Sequence, residues 1–324
     1  MNNCRDKYIR INELIDSNNG FELELFFKEN PLELLRNYLD GCDDITKLKF
    51  IMDLFPDLQY NILYICIFNN KYDLVEFILT EYKIDLTNDN NNMAIKTFCV
   101  SPDLCYSMIK LLVDHGSIID ADALSNLTVL KRQSTLDDKE MYLIIKLFLE
   151  HGSDIHAGDD YVLRQCSKAC FVECVKLILE NDGNVHANDD ETLRFCGICD
   201  SRMLILDKNW PIFPTNSLTN CHDQQESCYQ IVKLLLGHGA DVSANNHQAL
   251  ILNINRGYSN IVKLLIEHGA DLSQINNQQI FLSPNQIEMI KLLSQSNVVD
   301  PVSIFNIMTI DQNKFTSYND MHKN

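Results

Sequence analysis

Apolar residues recur along most of the chain at spacings of three and four, the period of a helix with one buried face. The clearest case is Ile231–His238, where Ile231, Leu234, Leu235 and His238 fall at i, i+3, i+4 and i+7, and Lys233 lies off that face. Gly239 follows where a helix ends in the left-handed conformation that glycine adopts cheaply. The histidine before it stands in the last turn, within reach of the terminal carbonyls and favourably placed in the helix dipole. The phrase Ile231–Val242 returns as Ile261–Leu272, with weaker copies beginning at Met108, Ile144 and Cys174 and degenerate ones at Leu74 and Met289. Its shared lysine stands at 110, 146, 176, 233, 263 and 291, with Glu76 in the first copy, so the gaps are 34, 36, 30, 57, 30 and 28. A unit of about 30 residues explains all but the gap of 57, which is one unit plus about 27 residues.

Each unit also carries a shorter helix upstream, opened by Leu163-Arg164-Gln165-Cys166 or Leu193-Arg194-Phe195-Cys196, and polar turns such as Ala157–Asp160 and Ala187–Asp190. The pattern predicts helix, tight turn, helix and polar finger. Neither helix can bury its apolar face alone, so neighbouring units must stack.

The Lys-Leu-Leu-x-x-His-Gly-Ala-Asp-Val block at Lys233–Val242 and Lys263–Leu272 resembles the ankyrin repeat. The fingers at Asp154–Asp160 and Asn184–Asp190, each followed by Leu-Arg, are similar to those of ankyrin proteins from amoeba-infecting giant DNA viruses. The resemblance covers about residues 58–300 and implies an all-α ankyrin-repeat solenoid of about seven repeats that binds a protein through its fingers and concave face. The Thr-Pro-Leu-His that opens the family's first helix is absent; Tyr161-Val162-Leu163-Arg164 and Gln248-Ala249-Leu250-Ile251 stand there.

Residues 1–57 read as a helical N-terminal cap or degenerate repeat, with Asn30 as N-cap, Pro31 at the first helical position and apolar residues at 45, 48, 51, 52 and 55. Pro31-Leu32-Glu33-Leu34-Leu35 also resembles the opening of an F-box, which implies an alternative: a ubiquitin-ligase substrate adaptor with residues 1–57 as recruiter. Residues 301–324 read as a C-terminal cap and polar tail.

Charge narrows the function. Acidic residues number 45 against 27 basic, a formal charge of −18, which disfavours nucleic-acid binding. No apolar run approaches the roughly 18 residues of a membrane span. The 12 cysteines, with no apolar signal segment at the N-terminus, are expected to be thiols in an intracellular protein, in the cytoplasm of a host cell. The expected state is a monomer.

Candidate chemistry is sparse. His115, His151, His238 and His268 share one repeat position, and His156 and His186 another. Gly116, Gly152, Gly183, Gly239 and Gly269 read as helix terminators, and no phosphate-loop, dinucleotide or zinc-protease motif occurs. Cys66, Cys166 and Cys196 fall at the small buried position of the first helix. Cys196, Cys199, Cys221 and Cys228 bracket the long gap and are the candidate zinc ligands, although their spacing matches no familiar module. The expectation is no cofactor and no catalysis. The insertion, about 201–226, holds Trp210 and Phe213, an aromatic anchor for a partner or a flap over its own repeat. Asp154, Asp159 and Asp160 in one finger and Asp189 and Asp190 in the next predict a docking face for a basic partner surface.

Overall fold

The computed structural model of the protein describes residues 2–28, 31–87, 93–99, 105–121, 123–127, 137–196, 221–272 and 292. Outside the described residues lie Cys199, Trp210, Phe213, most of the 201–226 insertion, the last repeat copy apart from Leu292, and residues 301–324. Among the described residues every regular element is helical. Two compact units divide between Val162 and Leu163, within a helix.

The first unit contains α1 (Asn2–Asp16), α2 (Gly20–Phe27), α3 (Pro31–Gly41), α4 (Ile45–Leu54), α5 (Gln59–Phe68), α6 (Tyr72–Glu81), α7 (Met93–Cys99), α8 (Tyr106–Asp114), α9 (Ala123–Leu127) and α10 (Asp138–Glu150), with a 3-10 turn at Pro56–Leu58. Helices α1, α3, α5, α7 and α9 pack in succession as one layer, while α4 packs on α6 and α8 on α10. Pro31 opens α3, whose Leu34, Leu35, Tyr38 and Leu39 are buried. Asp44 caps α4 by accepting the backbone N–H groups of Thr46 at 2.8 Å and Lys47 at 3.3 Å. Of the apolar positions expected in α4, Leu48, Ile51 and Met52 are buried and Ile45 faces out. The α3–α4 pair thus stacks on α5–α6 with the layer relation that later pairs use.

The second unit continues α11 (Ala157–Lys168) and adds α12 (Val172–Glu180), α13 (Ala187–Arg194), α14 (Cys221–Gly237), α15 (Ala244–Arg256) and α16 (Ser259–Glu267). Helix α13 packs on α15, and α12, α14 and α16 follow one another in a second layer. Residues 221–226, the end of the sequence-defined insertion, are helical.

The buried strip of α14 is Ile231, Val232, Leu235 and Leu236, not the predicted Ile231, Leu234, Leu235 and His238; His238 is exposed. Helix α12 buries the matching Cys174, Val175, Ile178 and Leu179. A helix flanked on both sides by its neighbours in the layer, and backed by the inner layer, buries adjacent positions i and i+1. The face is therefore broader than a single-seam helix requires. Each buried Val, Leu or Ile contributes roughly 1.5–3 kcal/mol relative to exposure. Lys110, Lys146, Lys176, Lys233 and Lys263 all point to solvent, as their off-face register predicts.

The helix ends follow one design. The residue two after the helix is left-handed: Gly116, Gly152, Gly239 and Gly269 have φ of 94, 84, 89 and 92°. The next N–H returns to the carbonyl five residues back, as in Ser117 to Leu112, Ser153 to Phe148, Ala240 to Leu235 and Ala270 to Leu265. After α12 the left-handed residue is Asp182 (φ 65°), and Gly183 donates to the Ile178 carbonyl, the role of Ala240. Gly183 is therefore not the terminator that the sequence predicts. A Cβ there would sit 2.7 Å from Ile178 Cγ2, so the glycine serves close approach instead. The expected imidazole contacts form: Nδ1 of His115, His151 and His268 lies 2.9, 2.8 and 2.8 Å from the carbonyl oxygens of Leu111, Leu147 and Leu264.

Candidate interaction fingers

The fingers are built from left-handed backbone. Gly158, Asp159 and Asp160 have φ of 66, 59 and 51°; Asn188, Asp189 and Asp190 have 51, 59 and 54°; Asn245, Asn246 and His247 have 48, 56 and 59°. L-residues rarely hold this conformation in runs, and Asn, Asp and Gly are the types that tolerate it. Three residues before the helix, the finger starts on an Asx turn. Asp154 Oδ1 accepts His156 N–H at 2.9 Å, Asn184 Oδ1 accepts His186 N–H at 3.0 Å, and Asp241 Oδ1 accepts Ser243 N–H at 2.8 Å. Asp85 does the same for Thr87 at 2.9 Å. The Ser243 contacts hold the Asp241 carboxyl below its ordinary value.

The left-handed run sorts the acidic residues. Asp154, Asp159 and Asp189 are exposed, whereas Asp160 and Asp190 are 3% and 5% exposed. The buried pair serves the finger itself: His156 Nδ1 lies 3.1 Å from Asp160 Oδ1, and His186 Nδ1 lies 3.2 Å from Asp190 Oδ1. In the second unit Asp190 Oδ1 also accepts the N–H of Asp241 in the next finger at 2.8 Å. His247 Nδ1 likewise accepts the Asp271 N–H at 3.3 Å.

A second ladder runs beneath the fingers. The Leu-Arg phrase places Leu163 and Leu193 in the core and turns the arginines toward the following repeat. Arg164 and Lys168, one turn apart on α11, both reach the buried Glu191 of α13, which also takes the Asn188 side-chain amide. One repeat later Arg194 Nη1 and Asn245 Nδ2 each donate to Gln248 Oε1 at 2.8 Å. Arg194 further ties the left-handed run together, donating to the carbonyls of Asp189 at 2.7 Å and Asn188 at 2.8 Å. Lys168 Nζ and Arg194 Cζ lie 5.7 and 5.1 Å from the Phe195 ring centre. Burial alone would raise the Glu191 carboxyl, but hydrogen bonds from Lys168, Asn188 and Arg164 outweigh it and bring the group down to about 2. Burial lowers Lys168 despite its bond to Glu191. Glu191 carries no repeat signature, because a long-range rung pairs residues 27 and 23 positions apart.

Cys66 and Cys166 are buried within their helices, as expected, whereas Cys196 is buried in the turn two residues past the end of α13 rather than in the helix. Of the zinc candidates, Cys196 and Cys228 come together: Cys196 Sγ donates to the Cys228 carbonyl oxygen at 3.7 Å. Nothing is described of the Cys221 side chain. Among the described residues no group of three or more His, Cys, Asp or Glu side chains is arranged to hold a metal ion. Cys170 was no site candidate, yet its Sγ lies 3.0 Å from Cys228 Sγ. Sulfur contacts with Cys170, then with Cys196, draw the Cys228 thiol below its ordinary value, against the effect of burial. Among the described residues no helix is long and apolar enough to cross a membrane.

Residues 245–277 match the family model of the ankyrin repeat, a span that begins on the Asn245–His247 finger and runs through α15 and α16. No curated protein matches the chain significantly. The match supports an ankyrin-repeat protein, and ankyrin repeats generally mediate protein–protein interaction and are typically non-enzymatic scaffolds.

Proposed function

We propose that the chain is a non-enzymatic scaffold that holds a partner protein. In this reading an ankyrin solenoid of about seven repeats offers its fingers and concave face, and the helices of residues 1–57 close its first repeat. The observation that carries the reading is the repeated left-handed finger. The middle residues Asp189 and Asn246 present their side chains to solvent, while Asn188 and Asn245 bond the rungs beneath and the third residue is spent on holding the next finger. Backbone held this firmly offers a partner a preorganised surface, which lowers the ordering cost of binding. A cleft of about 320 Å³ beside the second finger, lined by Asp182, Asn184, His186 and His238, has room for a partner side chain.

The exposed acids Asp154, Asp159 and Asp189 suit a basic partner surface, and Trp210 and Phe213 stand as aromatic anchors for it. The protein acts as a monomer, in the cytoplasm of a host cell, without nucleic acid. The test is affinity capture with wild type against Asp154→Asn/Asp159→Asn/Asp189→Asn, leaving Asp160 and Asp190 intact because they hold the fingers. Loss of a salt-sensitive partner supports the acidic face, and unchanged recovery removes it. A Trp210→Ala capture tests the insertion separately.

The adaptor reading has one observation of its own: Phe21 and Leu25 of α2 are 78% and 60% exposed, and Leu32 of α3 is exposed as well. Against it stands the stacking of α3–α4 on α5–α6, which supports a cap. Capture of ubiquitin-ligase components by wild type, lost in Phe21→Ser/Leu25→Ser, would favour the adaptor.

A further inference from the structure

Three thiols of the second unit lie together. The Sγ atoms of Cys170 and Cys228 are 3.0 Å apart, across 58 residues of sequence, and Cys196 Sγ donates to the Cys228 carbonyl oxygen at 3.7 Å. Cys196 and Cys228 are buried, whereas Cys170 is half-exposed in the turn between α11 and α12.

The repeat architecture itself makes this meeting. Cys170 (φ 59°) occupies the left-handed turn position that Asn70 (φ 50°) and Gly257 (φ 73°) fill elsewhere. Each is followed by the residue whose N–H returns five positions, Lys71 to Cys66, Phe171 to Cys166 and Tyr258 to Asn253. Cys228 stands three residues before Ile231, the register at which Cys105 stands before Met108. In the first unit the same two register positions touch: Cys105 Sγ donates to Asn70 Oδ1 at 3.5 Å. The turn of one repeat therefore meets the outer helix of the next by backbone design, and at 170 and 228 both positions carry thiols. A left-handed turn favours Gly or Asn over Cys, so the cysteine is there against local preference.

We infer that Cys170 and Cys228 form a thiol modification site, which hydrogen peroxide converts to a disulfide bridging two successive repeats. Cys170, the more accessible of the two, attacks one peroxide oxygen as its thiolate; the S–O bond forms, the O–O bond breaks, and hydroxide leaves to give a sulfenic acid. Cys228 sulfur then attacks Cys170 sulfur, forming the S–S bond and expelling hydroxide. In sum, two thiols and one hydrogen peroxide give one disulfide and two waters, the two electrons passing from the sulfurs to the peroxide. The sulfurs need to close by about 1 Å to reach bonding distance.

The test uses the full chain, reduced and then treated with stoichiometric hydrogen peroxide, read by intact mass and by peptide mapping without reductant. Expected is loss of two hydrogens and a 170–228 cross-linked peptide, reversed by dithiothreitol. It should form about tenfold or more faster than any oxidation of the buried Cys66 and Cys99. Cys170→Gly, which suits the left-handed turn and is checked for folding by circular dichroism, should abolish the cross-link; Cys196→Ser should keep it. Cys170 advancing to sulfinic acid without a cross-link would overturn the inference. So would a 196–228 bridge in its place, or an undiminished two-hydrogen loss in Cys170→Gly.

Discussion

The carboxylate of Asp190 accepts the backbone N–H of Asp241 at 2.8 Å, joining one finger to the next across 51 residues of sequence. The Thr-Pro-Leu-His phrase of the ankyrin consensus is missing here, and this bond supplies a finger-to-finger link of another kind. The third left-handed residue turns inward and reaches the first acidic residue of the following finger. His247 and Asp271 repeat the relation with an imidazole nitrogen as acceptor, so the link belongs to the register position rather than to one residue type.

Asp190→Ala should therefore destabilise the fold by about 1–3 kcal/mol, because the buried carboxylate is lost and the Asp241 N–H and the His186 ring lose their acceptor. Asp189→Asn, one residue away, exposed and still suited to the left-handed backbone, should stay within about 0.5 kcal/mol of wild type. Urea unfolding of the two variants checks the contrast. Equal losses would show that the inward carboxylate does not hold the fingers.

Glu191 makes the fold acid-sensitive. Its folded-state carboxyl lies near 2 against an ordinary 4.5, so its ionised form stabilises the folded state. That contribution is complete above about 4.5 and is lost as the pH falls toward 2. Its size follows from the shift at about 1.4 kcal/mol per unit, roughly 3 kcal/mol. Wild-type urea midpoints should fall between pH 5 and pH 2.5 more steeply than those of Glu191→Gln. At pH 7 the variant should be weaker than wild type, since Arg164 and Lys168 are left without their counter-charge.

How legible these features were follows from their range. The helix-end histidines and the buried Cys66, Cys166 and Cys196 could be read because each depends on position within one repeat. The Leu-Arg phrase was visible as a repeat, but its purpose was not, since Glu191 and Gln248 meet the arginines only after stacking. Asp160 and Asp190 looked like surface charge because helix and strand periods give no rule for three left-handed residues in a row. That geometry sends the third side chain inward.

The end of α12 offers a sharper case. Sequence favours Gly183 as the helix terminator, yet Asp182 holds the left-handed position and Gly183 the tight one. Gly183→Ala should cost about 1–3 kcal/mol, its methyl meeting Ile178 Cγ2 at 2.7 Å and the Ile178 carbonyl oxygen at 3.0 Å. Asp182→Gly should be neutral or stabilising by up to about 1 kcal/mol, since glycine relieves the left-handed backbone. Thermal melts of both variants distinguish the two roles. The opposite ordering would restore Gly183 as terminator.

Gln248 occupies the rung that Glu191 fills one repeat earlier, accepting Arg194 and Asn245 at 2.8 Å each through the same oxygen. Gln248→Glu keeps that oxygen in place and turns a neutral acceptor into a charged one, and charge-assisted bonds are roughly twice as strong. Arg194 is buried and already tied to two carbonyls, so it needs no reorganisation to use the new charge. The variant should gain about 0.5–1.5 kcal/mol at pH 7. It should lose that gain on acidification, as the new carboxylate takes up its proton. Urea midpoints at pH 7 and pH 3 read both parts of the expectation. A Gln248→Glu protein weaker than wild type at pH 7 would mean that desolvating the carboxylate at this half-buried position outweighs Arg194, and that the charged rung at Glu191 depends on having two cations instead of one.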